Sequence, residues 1–168
     1  MPSVTVCTVI RRPREAVFDH LDDLALHEAF TDHFLVDWSL TREDSVGVGA
    51  GARMRAKGGG RHPWITITVV DSIRPERTVE EGRGGKDGRR RTRGIYELAE
   101  EPGGATRVCF TNEFQPTGTL ERLQAPLARA YLRRQNARAL ARLKSILEQA
   151  PARGGRSAGR PVDPRSRG

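Results

Sequence analysis

The chain has 168 residues, of which 36% are hydrophobic and 30% charged, and its formal net charge is +8. That length suits one domain with an extension, and no apolar run approaches the roughly 18 residues of a membrane-spanning helix. Two cysteines, Cys7 and Cys109, make no disulfide framework, and the chain opens on a strand pattern rather than a signal peptide. Both features point to a reducing, cytoplasmic compartment.

Residues 4–10 alternate, with Val4, Val6, Thr8 and Ile10 on one face of an expected strand and Thr5, Cys7 and Val9 on the other. Arg12-Pro13 ends it, and Pro13 opens a short helix in which Val17, Phe18 and Leu21 share a side. A second short helix is expected over residues 23–30, with Leu24, Leu26 and Phe30 apolar.

Strands then follow in series. Phe34, Val36, Trp38 and Leu40 alternate with Leu35, Asp37, Ser39 and Thr41. After a glycine-rich turn, Ala52, Met54 and Ala56 alternate with Arg53, Arg55 and Lys57, a pattern of one dry and one wet face. Residues 62–73 are long and β-branched, the strongest strand signal in the chain. Pro75-Glu76 turns it, and a further strand begins over residues 78–81.

The loop at 83–93 reads as a hairpin tip, carrying six Arg or Lys against Asp87. Tyr96 and Leu98 share one face of the next strand, and Val108, Phe110, Asn112 and Phe114 alternate along the last.

Residues 126–149 form the one long helical pattern, about 36 Å at 1.5 Å per residue. Ala, Leu, Arg, Lys, Gln and Glu dominate it, and Pro126 suits a first helical turn. Leu132, Asn136, Ala139, Leu140, Leu143, Ile146 and Leu147 make one stripe. Asn136 interrupts the apolar run and requires a buried partner or a wet cavity. The tail at 150–168, with five arginines against Asp163, has nothing to bury and is expected to be disordered. Half of the net charge sits there and the 83–93 loop carries a further +5, so the rest of the chain is about neutral. No aromatic residues interleave with either cluster, so no specific nucleic-acid partner is expected.

The order strand, two short helices, six strands and long helix implies an α+β fold. In it, a curved seven-stranded antiparallel sheet wraps around the C-terminal helix. The first strand running into RRPREAVFDHLDD, the GIYEL strand with its GGATRVCF turn, and ALARLKSILE in the last helix together resemble the START-related, Bet v 1-like superfamily. Within it, the chain is similar to the bacterial polyketide cyclase/dehydrase and lipid-transport group. The resemblance covers about residues 3–149. It implies a helix-grip domain over 1–149 and a cavity between helix and sheet for a hydrophobic or aromatic small molecule. Its members include carriers, receptors and enzymes, so the fold does not decide the activity.

On this reading the site comprises Phe34, Trp38, Met54, Trp64, Thr66, Tyr96, Phe110, Asn112, Asn136 and Leu140. The expected function is binding or carriage of the molecule, with a polyketide cyclase/dehydratase-type enzyme as the alternative. Tyr96 is the one catalytic candidate. His27 and His33 are six residues apart, which does not match a helical metal pair, and surface or structural roles are expected for both. No inward His or carboxylate is identified, Asp37 and Glu113 falling on outward phases. No metal or cofactor is expected, and no oligomeric state is indicated.

Overall fold

The computed structural model describes residues 3–57, 63–85, 88–115 and 119–150, with side chains in the last stretch from Leu123 onward. Apart from Ala150, the expected tail at 150–168 lies outside the described residues, as does the centre of the basic hairpin tip at 86–87.

Strand β1 (Ser3–Ile10) leads into α1 (Arg14–Leu21), a single 3-10 turn (Leu24–Leu26) and the short α2 (Glu28–Thr31). Strands β2 (Leu35–Leu40), β3 (Gly51–Ala56), β4 (Trp64–Ile73), β5 (Arg77–Gly84), β6 (Arg90–Glu101) and β7 (Ala105–Phe114) follow, and α3 (Thr119–Gln149) closes the chain. The seven strands form one sheet in the order β1-β7-β6-β5-β4-β3-β2, every neighbouring pair antiparallel. This is the expected α+β helix-grip architecture, a curled half-barrel facing one long helix.

Pro13 precedes the first turn of α1, where its missing N–H leaves no bond unmade. The Asp23 side chain accepts from the Ala25 amide at 3.0 Å and starts the 3-10 turn. At the far end of α3, the Arg12 guanidinium donates to the Leu147 carbonyl at 2.7 Å and also meets the Ala150 carbonyl. A cation at a helix C-terminus satisfies free carbonyls and opposes the negative end of the dipole.

Apolar burial divides into two clusters. One joins Ile10, Val17, Phe18, Leu21 and Phe30 with Leu98 and Val108 of the sheet and Leu140, Leu143 and Leu147 of α3. The other gathers Leu24, Ala50, Ala52, Met54 and Val69, flanked by Leu35, Trp38, Ile65 and Ile67. Among the described residues, none from α3 belongs to this second cluster, and the space between the two clusters holds the site.

Three expectations are corrected here. The helix begins at Thr119, seven residues before the expected start, with Pro126 inside it. A proline there deletes one backbone bond, and the helix-forming residues on either side carry the helix through. Cys7 and Cys109 are not free thiols: they sit opposite each other in the β1–β7 ladder and are joined as a disulfide. The cysteines therefore no longer argue for a reducing compartment. No described helix is long and apolar enough to cross a membrane.

The third correction is one of phase. A bulge between Val36 and Ser39, with Asp37 in the left-handed region at φ 55°, lets Leu35 and Trp38 face the same way. Val36 and Leu40, expected to share the Trp38 face, do not reach the cavity.

Candidate functional site

A cavity of about 440 Å³ opens between the concave face of the sheet and α3. Its wall is mostly apolar: Phe30 and Phe34 from the α2 region, Trp38 and Met54 from β2 and β3, and Ile65 and Ile67 from β4. Phe110 and Phe114 of β7 face Leu132, Ala139 and Leu140 of α3. Two inward positions carry no side chain, Gly82 on β5 and Gly94 on β6. A Cβ at Gly94 would lie 3.1 Å from the Phe110 ring and 3.5 Å from Glu80 Oε2. A Cβ at Gly82 would collide with Thr92 Oγ1. Glycine at these two places hollows the sheet where larger residues would fill it.

The mouth is polar. Lys57, Gln115, Gln124 and Tyr131 are exposed and line it, and the Tyr131 hydroxyl donates to the Lys57 carbonyl at 3.0 Å. That bond ties the overhanging part of α3 to the end of β3.

Eight of the ten residues picked from the sequence come together around this space: Phe34, Trp38, Met54, Tyr96, Phe110, Asn112, Asn136 and Leu140. Trp64 and Thr66 do not. The inward residues of β4 are Ile65, Ile67 and Val69, while Thr66 is exposed. Trp64 lies on the outer face, 42% exposed, with the Arg53 and Arg55 guanidinium groups 4.0 and 5.4 Å from its ring centroid. These cation–π contacts give the indole a partner outside. A strand apolar on both faces does not reveal its phase.

At the inner end are two groups that the sequence reading left out. His27, expected in a surface or structural role, is buried and lines the cavity, and so does Glu80 of β5. His27 Nδ1 stands 3.6 Å from Glu80 Oε1. The His27 ring is enclosed by Phe30, Trp38 and Tyr96, with centroids at 5.0, 5.8 and 6.1 Å. Its Nε2 lies 2.8 Å from the Leu21 carbonyl, which can only accept. Nε2 therefore carries the hydrogen, and the Nδ1 lone pair of the neutral ring points toward Glu80.

Burial sets the charge state of both groups. Desolvation lowers the His27 pKa to about 4 and raises the Glu80 pKa to about 8. An ion pair would require two charges in an apolar enclosure, so the pair at neutral pH is an uncharged imidazole beside a carboxylic acid. Burial, and the nearby Glu80, also push Tyr96 well above the usual phenol range, so it stays protonated. Its ring stacks on Phe110 at 4.4 Å.

Four polar atoms beside the cavity have no hydrogen-bond partner among the described residues: Glu80 Oε1, Trp38 Nε1, Asn112 Oδ1 and Asn136 Nδ2. Buried polar atoms normally find partners. The four side chains that carry these atoms all line one apolar cavity, the composition a ligand pocket needs.

Signals for the two missed residues did exist. Leu24, His27 and Phe30 recur every three residues, and all three are buried, whereas Leu26 is exposed. Glu80 pairs with Gly94 and Thr78 with Tyr96 across β5–β6, so an inward Tyr96 already implies an inward Glu80. His33 has another role. Its Nε2 meets the Gln135 carbonyl at 3.1 Å and its Nδ1 accepts from Arg142 at 3.5 Å, fastening the segment after α2 to α3. Among the described residues no group of three His, Cys, Asp or Glu side chains converges as a metal site would require.

Comparison with known proteins agrees with the fold. The Thermus thermophilus protein TTHA0849 superposes with a TM-score of 0.72 at 19% identity, covering 87% of this chain and 97% of that one. A conserved protein from Geobacillus kaustophilus gives 0.69 at 13% identity, covering 87% and 95%. DynU16, a protein in the dynemicin biosynthetic locus, gives 0.60 at 16% identity, covering 88% of this chain and 47% of its own. At such identities the likeness speaks for the fold alone. No curated protein matches the sequence. The family model described as polyketide cyclase / dehydrase and lipid transport matches residues 1–148, and the chain belongs to that family.

Proposed function

We propose that the protein binds a hydrophobic or aromatic small molecule in the cavity between its sheet and α3. One observation carries this reading: an apolar space of about 440 Å³ is lined by four residues, Trp38, Glu80, Asn112 and Asn136, each with a buried polar atom that has no partner among the described residues. A core meant only for stability would fill such a space or pair those atoms. Family membership supports the same reading without naming the ligand.

The test uses the two indoles, which differ in place. Trp38 lines the cavity and Trp64 lies outside it, so Trp64→Phe leaves one fluorescent reporter. Titration of that variant with aromatic polyketides, sterols and fatty acids is expected to change Trp38 emission saturably with at least one class. No saturable change from any of them refutes the reading. A second reading, a polyketide cyclase/dehydratase-type enzyme using the same cavity, is favoured by the facing His27 and Glu80. Turnover of a linear polyketide mimic, lost in Tyr96→Phe, would establish it.

A further inference from the structure

We propose that His27 and Glu80 form an acid–base pair that enolises a neutral, apolar ketone held in the cavity, the Glu80 carboxyl donating to the ketone oxygen and Nδ1 of His27 taking the α-hydrogen. The inference rests on the ligand-binding reading of the cavity and adds a reaction and a substrate class to it.

Geometry makes the assignment. Both side chains line the same apolar space, and their nearest atoms are 3.6 Å apart. The Leu21 carbonyl fixes the hydrogen on Nε2 and leaves Nδ1 as the basic atom. Glu80 Oε1 has no hydrogen-bond partner among the described residues. The absent side chain at Gly94 leaves room beside Glu80 Oε2. An acid and a base that line one cavity suit proton transfer at adjacent atoms of one molecule.

The step balances without a co-reactant. The carboxyl O–H bond breaks as its proton passes to the ketone oxygen. The α C–H bond breaks as that hydrogen passes to Nδ1. The C–H electrons become the enol double bond, and the carbonyl π pair becomes the new O–H bond. Glu80 is left as carboxylate and His27 as imidazolium, and return of one proton across the 3.6 Å gap resets the pair.

The surroundings favour neutral substrates. Tyr96 of β6 faces Glu80, and Phe30, Trp38 and Tyr96 enclose His27. The charged and titratable groups that act on His27 from its own segment are His20 and Asp23. None of these offers a cation to a ligand carboxylate, and the two cations among the cavity's described lining residues, Lys57 and Arg90, are both exposed. Burial holds Glu80 protonated up to about pH 8 and His27 neutral down to about pH 4. The pair is therefore in its working state between those values.

The experiment follows hydrogen–deuterium exchange at the α-carbon of 2-tetralone in heavy water by NMR. Trp38 emission in the Trp64→Phe protein reports binding of the same ketone. Exchange is expected to exceed the protein-free rate, and His27→Gln and Glu80→Gln are each expected to lower it by about 100-fold while Trp38 still saturates. Catalysed exchange should also fall as pH passes about 8, whereas exchange of the free ketone rises with pH. That profile decides the matter even if a variant fails to fold. Saturable binding with exchange no faster than without protein overturns the acid–base assignment and leaves the binding reading standing. Binding of other panel members but not of 2-tetralone overturns the ketone assignment alone. No Trp38 response to any compound overturns both.

Discussion

The two halves of α3 belong to one helix and behave as two objects. From Asn136 to Leu147 it carries Ala139, Leu140, Leu143 and Leu147, all buried against Ile10, Phe18, Leu98 and Val108. Before that, Leu123 and Leu127 are each 75% exposed and Tyr131 is 43% exposed, while Gln124, Ala128 and Leu132 border the cavity. Apart from Pro126 in the first half, good helix formers fill both halves, so propensity does not explain which half is buried. What differs is the surface opposite. The second half has β1, α1 and β7 beneath it, and the first half faces a hollow. One half therefore stabilises the fold, and the other frames the site.

Core truncation should break this comparison most visibly. Leu143 is completely buried, so Leu143→Ala removes packed methyl groups and leaves a void. The expected cost is about 2–5 kcal/mol, read from the urea midpoint at constant slope. A loss below about 1 kcal/mol would mean that the second half of α3 is not packed as described.

The next effect comes from the inner end of the cavity. Burial raises Glu80 from an ordinary 4.5 to about 8, so the folded protein holds its proton more tightly than the unfolded chain does. Its contribution is fully present below the unfolded pKa and is lost as pH rises toward 8. His27 falls from 6.5 to about 4, and its contribution grows as pH rises through that interval. The two slopes oppose each other between about 4.5 and 6.5, and Glu80 alone remains from about 6.5 to 8. Burial also lowers His20 and His33 from 6.5, so stability should rise with pH in the first window and drop by about 2 kcal/mol across the second. Glu80→Gln should remove the drop. A profile that rises from pH 6.5 to 8 would contradict the buried, neutral carboxyl.

The cavity residues differ in how openly the sequence displayed them, and chemistry explains why. On β3, arginines and a lysine alternate with Ala52, Met54 and Ala56, so polarity marks the two faces and Met54 could be placed. On β4, Ile, Thr and Val fill both faces, and Trp64 goes outside because Arg53 and Arg55 cover it. On β2, the bulge at Asp37 resets the period without a glycine to announce it. His27 and Glu80 escaped for a different reason. Hydrophobic periodicity discards ionisable residues as surface, and a buried pair of them is the case in which that rule fails. The long helix was legible as a stripe, but its first turns were not, because Pro126 resembles a start signal.

Asn136 stands where the two halves of α3 meet. It is buried, and its Nδ2 has no partner among the described residues. If it orients a ligand carbonyl, Asn136→Leu should weaken binding by about 1–3 kcal/mol. The same change should leave stability nearly unaltered or raise it slightly, because it replaces an unpaired amide with an apolar group. Paired titrations by Trp38 emission and by urea separate the two quantities. A loss of stability with unchanged binding would assign Asn136 to the core rather than to the site.

The smallest effect belongs to the overhanging half. Leu123 and Leu127 are one helical turn apart and point away from both apolar clusters. Replacing both with glutamine removes no packed surface and keeps good helix formers, so stability should stay within about 0.5 kcal/mol of the parent. Ligand titration should also be unchanged, since neither leucine lines the cavity while Gln124 and Ala128 beside them do. The absence of an effect is informative because it is set against Leu143→Ala in the same helix. A double substitution that destabilised the protein by more than about 1 kcal/mol would show that this half is covered in solution. The contrast between the halves would then be one of partners rather than of packing within the chain.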